Sequence, residues 1–335
     1  MAIKVGFIGT GGISRGHLTR MNENPSAQVV ALCDVDTETM KERSKLLDGS
    51  VEFYNDYGSM LEEEDLDAAV ICTPHTLHFQ QIMDCLDRGI HVLTEKPMVC
   101  TVERAEKVIA KAEETGKVLM VRYQRHYNPA FRWAHDYIRD GKFGKMFFIS
   151  ANLGQNWARV THKTWRGRKE LSGGGMLMDS GSHIVDVVCW LAQVDPVEVQ
   201  AMISNEFARD EEVDILSSLS IRFANGAIAS IAVDGNSPKW HESMTISGSV
   251  SGGEAMIEFG RASSPEPVLT TAGGEAQKVE KLPEPHSADD NFIAVIQGKE
   301  VPLSTAHDAL KVIKVTEAAY LSDKEGRTVK MNQLG

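Results

Sequence analysis

The first third of the chain repeats one pattern of apolar and polar positions. Ile3 to Ile8 alternates as a strand and breaks into Gly9-Thr10-Gly11-Gly12-Ile13-Ser14, after which His17, Leu18 and Met21 resume at helical spacing. Gln28–Cys33 reads as a second strand, Thr37–Leu47 as a helix, Val51–Tyr54 as a short strand and Asp56–Glu62 as a short helix. Ala68–Cys72 is a continuous apolar run, as expected of a strand buried on both faces. Thr73-Pro74 stops it, and His75 and His78 open a helix to Asp87. Ile90–Thr94 is the next strand and leads into Glu95-Lys96-Pro97. A helix capped by Thr101 runs to Thr115, and Lys117–Val121 is a further strand. Alternating strands and helices of this kind predict a parallel, doubly wound α/β sheet over residues 1–122.

The pattern changes after that. Asn128-Pro129 opens a helix to Arg139, and Met146–Ile149 begins a strand leading to Gln155-Asn156-Trp157. Ser172-Gly173-Gly174-Gly175 reads as a flexible turn, followed by a helix carrying Asp179, His183, Asp186 and Trp190. Long alternating strands follow at Val197–Phe207, Ile215–Phe223, Ile228–Val233, Glu242–Gly248 and Ala255–Phe259, with Asn225-Gly226 as a hairpin turn. No helix intervenes, so residues 123–335 are expected to form an α/β domain on a large, mostly antiparallel sheet with one open face, a natural contact for homo-oligomers. Pro265–Pro285 reads as polar loop. Asp289–Gln297 and Thr305–Leu321 read as helices that are free to pack back on the first domain, and Gly326–Met331 as a last short strand.

Composition adds limits. A chain of 335 residues is too long for one compact core. Its net charge of −12 disfavours nucleic acid or an anionic membrane as partner. No apolar run approaches the ~20 residues that span a bilayer. The strand pattern starts at Met1–Phe7, which leaves no room for a signal or transit peptide and predicts a cytoplasmic protein. Five scattered cysteines fit buried, reduced thiols better than a disulfide framework.

The candidate chemistry lies where strands end. In the strand–turn–helix context, Gly9 permits the tight turn and Gly11 lets the backbone approach a pyrophosphate, for which a helix N-terminus supplies donors. Asp34 ends the second strand twenty residues beyond Ser14, the place of a carboxylate that binds an adenosine ribose. Asp36 follows and no Lys or Arg occurs until Lys41, so NAD is expected in preference to NADP. Thr73 would lie at the cofactor edge of the sheet. His75 and His78 could chelate a metal from one helix face, but no third ligand is near, so no metal site is assigned. Lys96, with its backbone restricted by Pro97, stands where open α/β sheets bind ligands; it reads as a proton handler or as half of a surface Glu–Lys pair.

Asp179 and His183 are four apart, on one helix face, an orientation that suits acid–base work and also serves as a structural pair. Arg159, His162, Lys163, Arg166, Arg168 and Lys169 concentrate positive charge in an acidic chain. A solvated loop is the plainer reading for each except Arg166. Trp157 and Trp165 have flat faces of the kind that pack on sugar rings or within a core.

Taken in order, Gly9-x-Gly11-Gly12-Ile13, Asp34, Thr73-Pro74, Glu95-Lys96-Pro97, Asn128-Pro129 and Gly173-Gly174-Gly175…Asp179…His183 resemble the Gfo/Idh/MocA family of nicotinamide-dependent sugar and polyol oxidoreductases. The resemblance implies a Rossmann domain followed by an α/β domain whose open sheet mediates dimers or tetramers. It implies Lys96, Asp179 and His183 as catalytic residues, and cofactor contacts from Gly9, Gly11, Gly12, Ile13, Asp34, Thr73, Pro74, His78, Glu95 and Lys96. A looser likeness to levoglucosan- and glycoside-oxidising members implies Tyr127, Gln155, Trp157 and Arg166 as substrate contacts beside the catalytic three. Ser14 departs from the usual glycine or alanine of the phosphate turn but is similarly small. The expected reaction is NAD-dependent oxidation of a secondary hydroxyl of a sugar, glycoside or cyclitol. The rivals are a glycoside hydrolase that retains NAD and a nucleotide-sensing regulator without chemistry.

Overall fold

The structure, a computed structural model, describes residues 2–208, 212–250, 253–260 and 266–334. The chain forms two compact units. The first comprises Met1–Val99, Glu103–Tyr123 and His286–His307, the second Cys100–Val102, Gln124–Pro285 and Asp308–Gly335.

The first unit runs β1 (Ile3–Ile8), α1 (Ser14–Glu23), β2 (Ala27–Cys33), α2 (Thr37–Ser44), β3 (Glu52–Tyr54), α3 (Tyr57–Glu63), β4 (Ala68–Ile71), α4 (His78–Asp87), β5 (His91–Thr94), α5 (Val102–Thr115) and β6 (Leu119–Val121). Its strands pair in the order β3-β2-β1-β4-β5-β6, parallel throughout. The order reverses between β1 and β4, the switch point outside which such sheets bind ligands. Every residue of β4 is buried, so both faces of this strand are covered, as its unbroken apolar run requires. Side-chain caps at Asp36 and Asp56 start α2 and α3 where the sequence turns polar.

The second unit continues with α6 (Pro129–Arg139), β7 (Met146–Gly154), α7 (Trp157–Val160), α8 (Lys169–Ser172), α9 (Gly181–Ala192), β8 (Pro196–Ser204), β9 (Leu216–Phe223), β10 (Ile228–Asp234), β11 (His241–Val250), β12 (Gly253–Phe259), β13 (Pro267–Thr271) and β14 (Gln277–Lys278). The chain closes with α10 (Ala288–Ile296) in the first unit, then α11 (Ala306–Glu325) and β15 (Val329–Lys330). A nine-stranded sheet has the order β14-β13-β12-β11-β7-β10-β9-β8-β15, antiparallel except where β7 and β10 run parallel. Along β9 and β11 buried and less buried residues alternate, and α9 packs against β7 and β10. One face of the sheet is therefore core, and the other carries Ser150, Asn152, Ser218, Ser220, Ser230, Ala232, Ser243 and Thr245.

Three expectations need correction. The stretch expected as loop from Pro265 holds β13 and β14, because β12 offers them an edge that the sequence pattern does not reveal; Pro265 itself lies outside the described residues, as does Met1. The strand expected over Val197–Phe207 stops at Ser204. The helix expected to carry Asp179 begins at Gly181, so Asp179 lies in the turn before it.

Candidate active site

In the first unit, the carboxyl ends of β1, β2, β4 and β5 gather most of the sequence-derived candidates. Gly9 has φ +92°, and a Cβ there would come within 2.8 Å of the Cys72 carbonyl carbon, so only glycine fits where the end of β1 meets the end of β4. Gly11 and Gly12 have no atom within 4 Å of a Cβ position, which leaves their backbone open to approach. The helix behind them, α1, has Ile13 at its N-cap and no side-chain cap. Its first N–H groups and positive dipole end thus face an uncrowded glycine turn, which fits a dinucleotide pyrophosphate. Ser14 turns inward, donating its hydroxyl to the Gly11 carbonyl at 2.8 Å, so the non-glycine third position serves packing.

Asp34 does more than the sequence suggested. Its Oδ2 accepts from the Thr10 N–H at 2.6 Å and the Thr10 hydroxyl at 3.0 Å, and its Oδ1 accepts from the Asp36 N–H at 3.0 Å. It anchors the glycine turn to the end of β2 and stays partly exposed, with lone pairs left for a ribose hydroxyl. Asp36 caps α2 by accepting from the Glu38 and Thr39 N–H groups and the Thr39 hydroxyl, and these hydrogen bonds hold its carboxyl below the usual aspartate range.

Thr73, Pro74, His78 and the Glu95-Lys96-Pro97 segment come together. His78 is fully buried, its Nδ1 2.9 Å from the Pro97 carbonyl and its Nε2 2.9 Å from the Thr73 carbonyl. Its imidazole therefore joins two loops, and burial lowers its proton affinity. The Thr73 hydroxyl donates to Gln81 Oε1 at 2.6 Å. Glu95 is buried among His17, Arg122 and the Lys96 N–H, while Lys96 itself is partly exposed and joined to Pro97 by a cis peptide bond. Among the described residues, no group of three or more His, Cys, Asp or Glu could hold a metal ion. The Cys33, Cys85 and Cys189 thiols are pushed up to about 12, chiefly by burial.

In the second unit, Asp179 is the hub. Its Oδ2 accepts from Trp157 Nε1 at 2.7 Å and Arg166 Nε at 3.0 Å. The Arg166 guanidinium in turn stacks on Trp165, 4.3 Å from the ring centroid. Trp157 is buried, with its indole N–H spent on Asp179. His183 sits in the first turn of α9, partly exposed, and Gln155 stands partly exposed at the end of β7. Tyr127 is buried in a 3₁₀ turn ahead of α6. Arg159, Lys163, Arg168 and Lys169 are exposed, as a solvated loop would have them.

Asp214, a residue the sequence reading passed over, fixes the turn that carries Asp179. Its carboxylate accepts from the Gly175 N–H at 2.8 Å, the Leu177 N–H at 2.9 Å and the Tyr320 hydroxyl at 2.7 Å. The three glycines are there for close approach. A Cβ on Gly174 would lie 2.5 Å from the Tyr320 hydroxyl oxygen, and one on Gly175 would overlap the Asp214 carbonyl. The only pattern in the sequence that pointed to this packing was the glycine run.

Comparison with known proteins follows the same division. The Gfo/Idh/MocA oxidoreductase model, described as an NAD-binding Rossmann fold, matches residues 3–123, and the model of that family's C-terminal domain matches residues 131–252. The chain is 26% identical to scyllo-inositol 2-dehydrogenase (NADP(+)) IolW of Bacillus subtilis (strain 168), across 98% of this chain and 95% of that protein. It is 25% identical to the solved aldose-aldose oxidoreductase of Caulobacter crescentus, with a TM-score of 0.84 across 98% of this chain and 100% of that one. Levoglucosan dehydrogenase, solved with NADH and levoglucosan, has the same fold at a TM-score of 0.86 over 99% and 100% of the two chains, with 21% identity. Matched by both of that family's domain models, the chain belongs to the Gfo/Idh/MocA family of NAD(P)-dependent oxidoreductases.

Proposed function

We propose that the protein is an NAD-dependent dehydrogenase that oxidises a secondary hydroxyl of a sugar, glycoside or cyclitol to a ketone. The observation that carries this reading is the partly exposed Lys96 at the carboxyl edge of the same parallel sheet whose glycine turn and uncapped α1 suit a dinucleotide. The inositol and aldose substrates named for its relatives support the substrate class.

Gly11, Gly12 and Ile13 would hold the pyrophosphate, Asp34 the adenosine ribose, and Thr73-Pro74 the nicotinamide side. The bound nicotinamide supplies the hydride acceptor. Lys96 hydrogen-bonds the reacting oxygen, and His183 takes the hydroxyl proton as general base. Asp179 favours the charged form of that imidazole, and Trp157 and Arg166 hold Asp179. Gln155 and Tyr127 complete the substrate contacts. Acids at Asp34 and Asp36 repel a 2′-phosphate, which favours NAD. Because a general base contributes about 10²–10⁴ in rate, Lys96→Ala and His183→Ala are each expected to lose roughly that much kcat. The measurement is reduced-nicotinamide absorbance across a panel of sugars, cyclitols and glycosides. Two variants with wild-type turnover would sink the assignment.

A further inference from the structure

A buried ionic network lies behind Lys96, and none of the roles above uses its central residue. His17, on the inner face of α1, is completely buried. Its Nδ1 is 2.5 Å from Asp289 Oδ1 and its Nε2 is 3.1 Å from Glu95 Oε1. Arg20 Nε reaches the other Asp289 oxygen at 2.5 Å, and Arg122 donates to Glu95 Oε1 at 3.0 Å. The Lys96 N–H meets Glu95 Oε2 at 3.3 Å. Glu95 is thus gripped from α1, from the end of β6 and from its own chain, while Asp289 comes from α10, which packs on α1 and β5.

Both ring nitrogens of His17 face carboxylate oxygens, and an ionised carboxylate only accepts. A neutral imidazole would leave one nitrogen lone pair pointed at a carboxylate oxygen, whereas the imidazolium donates to both. The two partly exposed arginines keep the carboxylates ionised, so a protonated His17 is one buried positive group between two buried negative ones. Burial alone would push His17 down; the charge and hydrogen bond of Asp289, then those of Glu95, outweigh it and hold His17 above the ordinary histidine value. Burial likewise works against Glu95 and Asp289, yet His17 and the arginines hold both below the usual carboxylate range. Of the other titratable groups that face Glu95, Lys96 adds a further positive charge, His78 is held down by burial, and Cys72 stays a thiol through burial and the two carboxylates.

We infer that His17 is a positioning residue for Lys96: as an imidazolium bridging Asp289 and Glu95, it fixes the carboxylate that holds the Lys96 backbone and so aims the Lys96 side chain at the reacting oxygen. The inference rests on the proposed dehydrogenase reaction and names a part of it that touches neither substrate nor cofactor.

The test begins without activity. Long-range ¹⁵N imidazole spectra of the full chain, collected from pH 6 to 8.5, should contain one histidine with both nitrogens protonated at pH values where ordinary histidines are neutral. That signal should vanish in His17→Gln and titrate at lower pH in Glu95→Gln, which keeps an acceptor for Lys96 but removes the charge. Either variant identifies the signal if the other fails to fold, and a His17 neutral across this range overturns the inference. In turnover, displaced catalytic groups cost up to about 10²-fold. His17→Gln should therefore lose kcat on that scale with little change in KM, and should lose the alkaline fall in kcat that His17 deprotonation gives the wild type. If Lys96→Ala is inactive while His17→Gln matches wild type in kcat and pH profile, the positioning role alone is wrong. If Lys96→Ala turns over normally, the dehydrogenase reading fails and takes this role with it.

Discussion

Two aspartates stand at the end of β2, and their bonding separates what each can contribute to cofactor choice. Asp34 holds Thr10 in the glycine turn, so removing it should loosen the site for either cofactor. The Asp36 carboxylate accepts from the first turn of α2, within its own segment. Asp36→Arg therefore removes one repulsive charge and adds an attractive one while leaving the Thr10 anchor intact. We expect kcat/KM for NADP relative to NAD to rise by about tenfold or more, equivalent to roughly 1.4 kcal/mol. Loss of the cap should be seen as a lower melting temperature. An unchanged cofactor ratio would show that Asp36 plays no part in the preference. The placement of Gly9, Asp34 and Lys96 at the carboxyl ends of β1, β2 and β5 was legible in the sequence because it depends on local context, a strand end and a turn. Asp214 and Asp289 were not, because their partners Gly175, Leu177, His17 and Arg20 lie 37 to 272 residues away. The Trp157 indole N–H and the Arg166 Nε both donate to Asp179, a pairing that the sequence pattern does not reveal. A residue type flagged its own importance there without naming its partner.

At the scale of elements, the turn from Gly173 to Ser180 does for the second unit what the glycine turn does for the first: it brings backbone close to a neighbour and points an acid. Its rigidity comes from Asp214, whose backbone leaves no room for a side chain at Gly175. Gly175→Ala should push the turn off Asp214, costing about 3 kcal/mol by strain and lost hydrogen bonds and lowering the melting temperature by several degrees. Activity per folded molecule should fall with it, because Asp179 rides on the displaced turn. A Gly175→Ala protein as stable and active as wild type would mean that the turn has slack. The elements themselves were readable where burial imposes a period: the unbroken run of β4 and the alternation of β9 and β11 specify strands and their faces. β13 begins at a proline, β14 has two residues, and both exist because β12 supplies a pairing edge. Information of that kind is held in tertiary contacts, so a stretch rich in polar residues and glycine reads as loop.

For the whole molecule, the outer face of the nine-stranded sheet is the feature that bears on assembly. A net charge of −12 would keep single chains apart, but the central strands of that face carry mostly short, uncharged side chains, among them Ser150, Asn152, Ser218, Ser220, Ser230, Ala232, Ser243 and Thr245, with Phe148 and Arg222 the longer ones beside them. Short side chains lose little conformational entropy when covered and allow two sheets to approach closely, while long charged ones would hold them apart. Exposed Met202 and Phe148 add apolar area on strands of the same sheet. We expect the protein to be a homodimer or homotetramer built through this face, with a mass by light scattering of at least twice the 36.8 kDa chain at micromolar concentration. Ser230→Arg with Ala232→Arg would set two like charges on the central strand β10 and oppose them to their copies, which costs several kcal/mol across a symmetric interface. The double variant should therefore run as a monomer with an unchanged circular dichroism spectrum. A wild-type monomer, or a double variant that keeps the wild-type mass, would place the contact elsewhere or remove it. Neither residue belongs to the proposed catalytic set, so monomers that still turn over would mean that each chain carries a complete site, and inactive ones would mean that assembly is needed to build it.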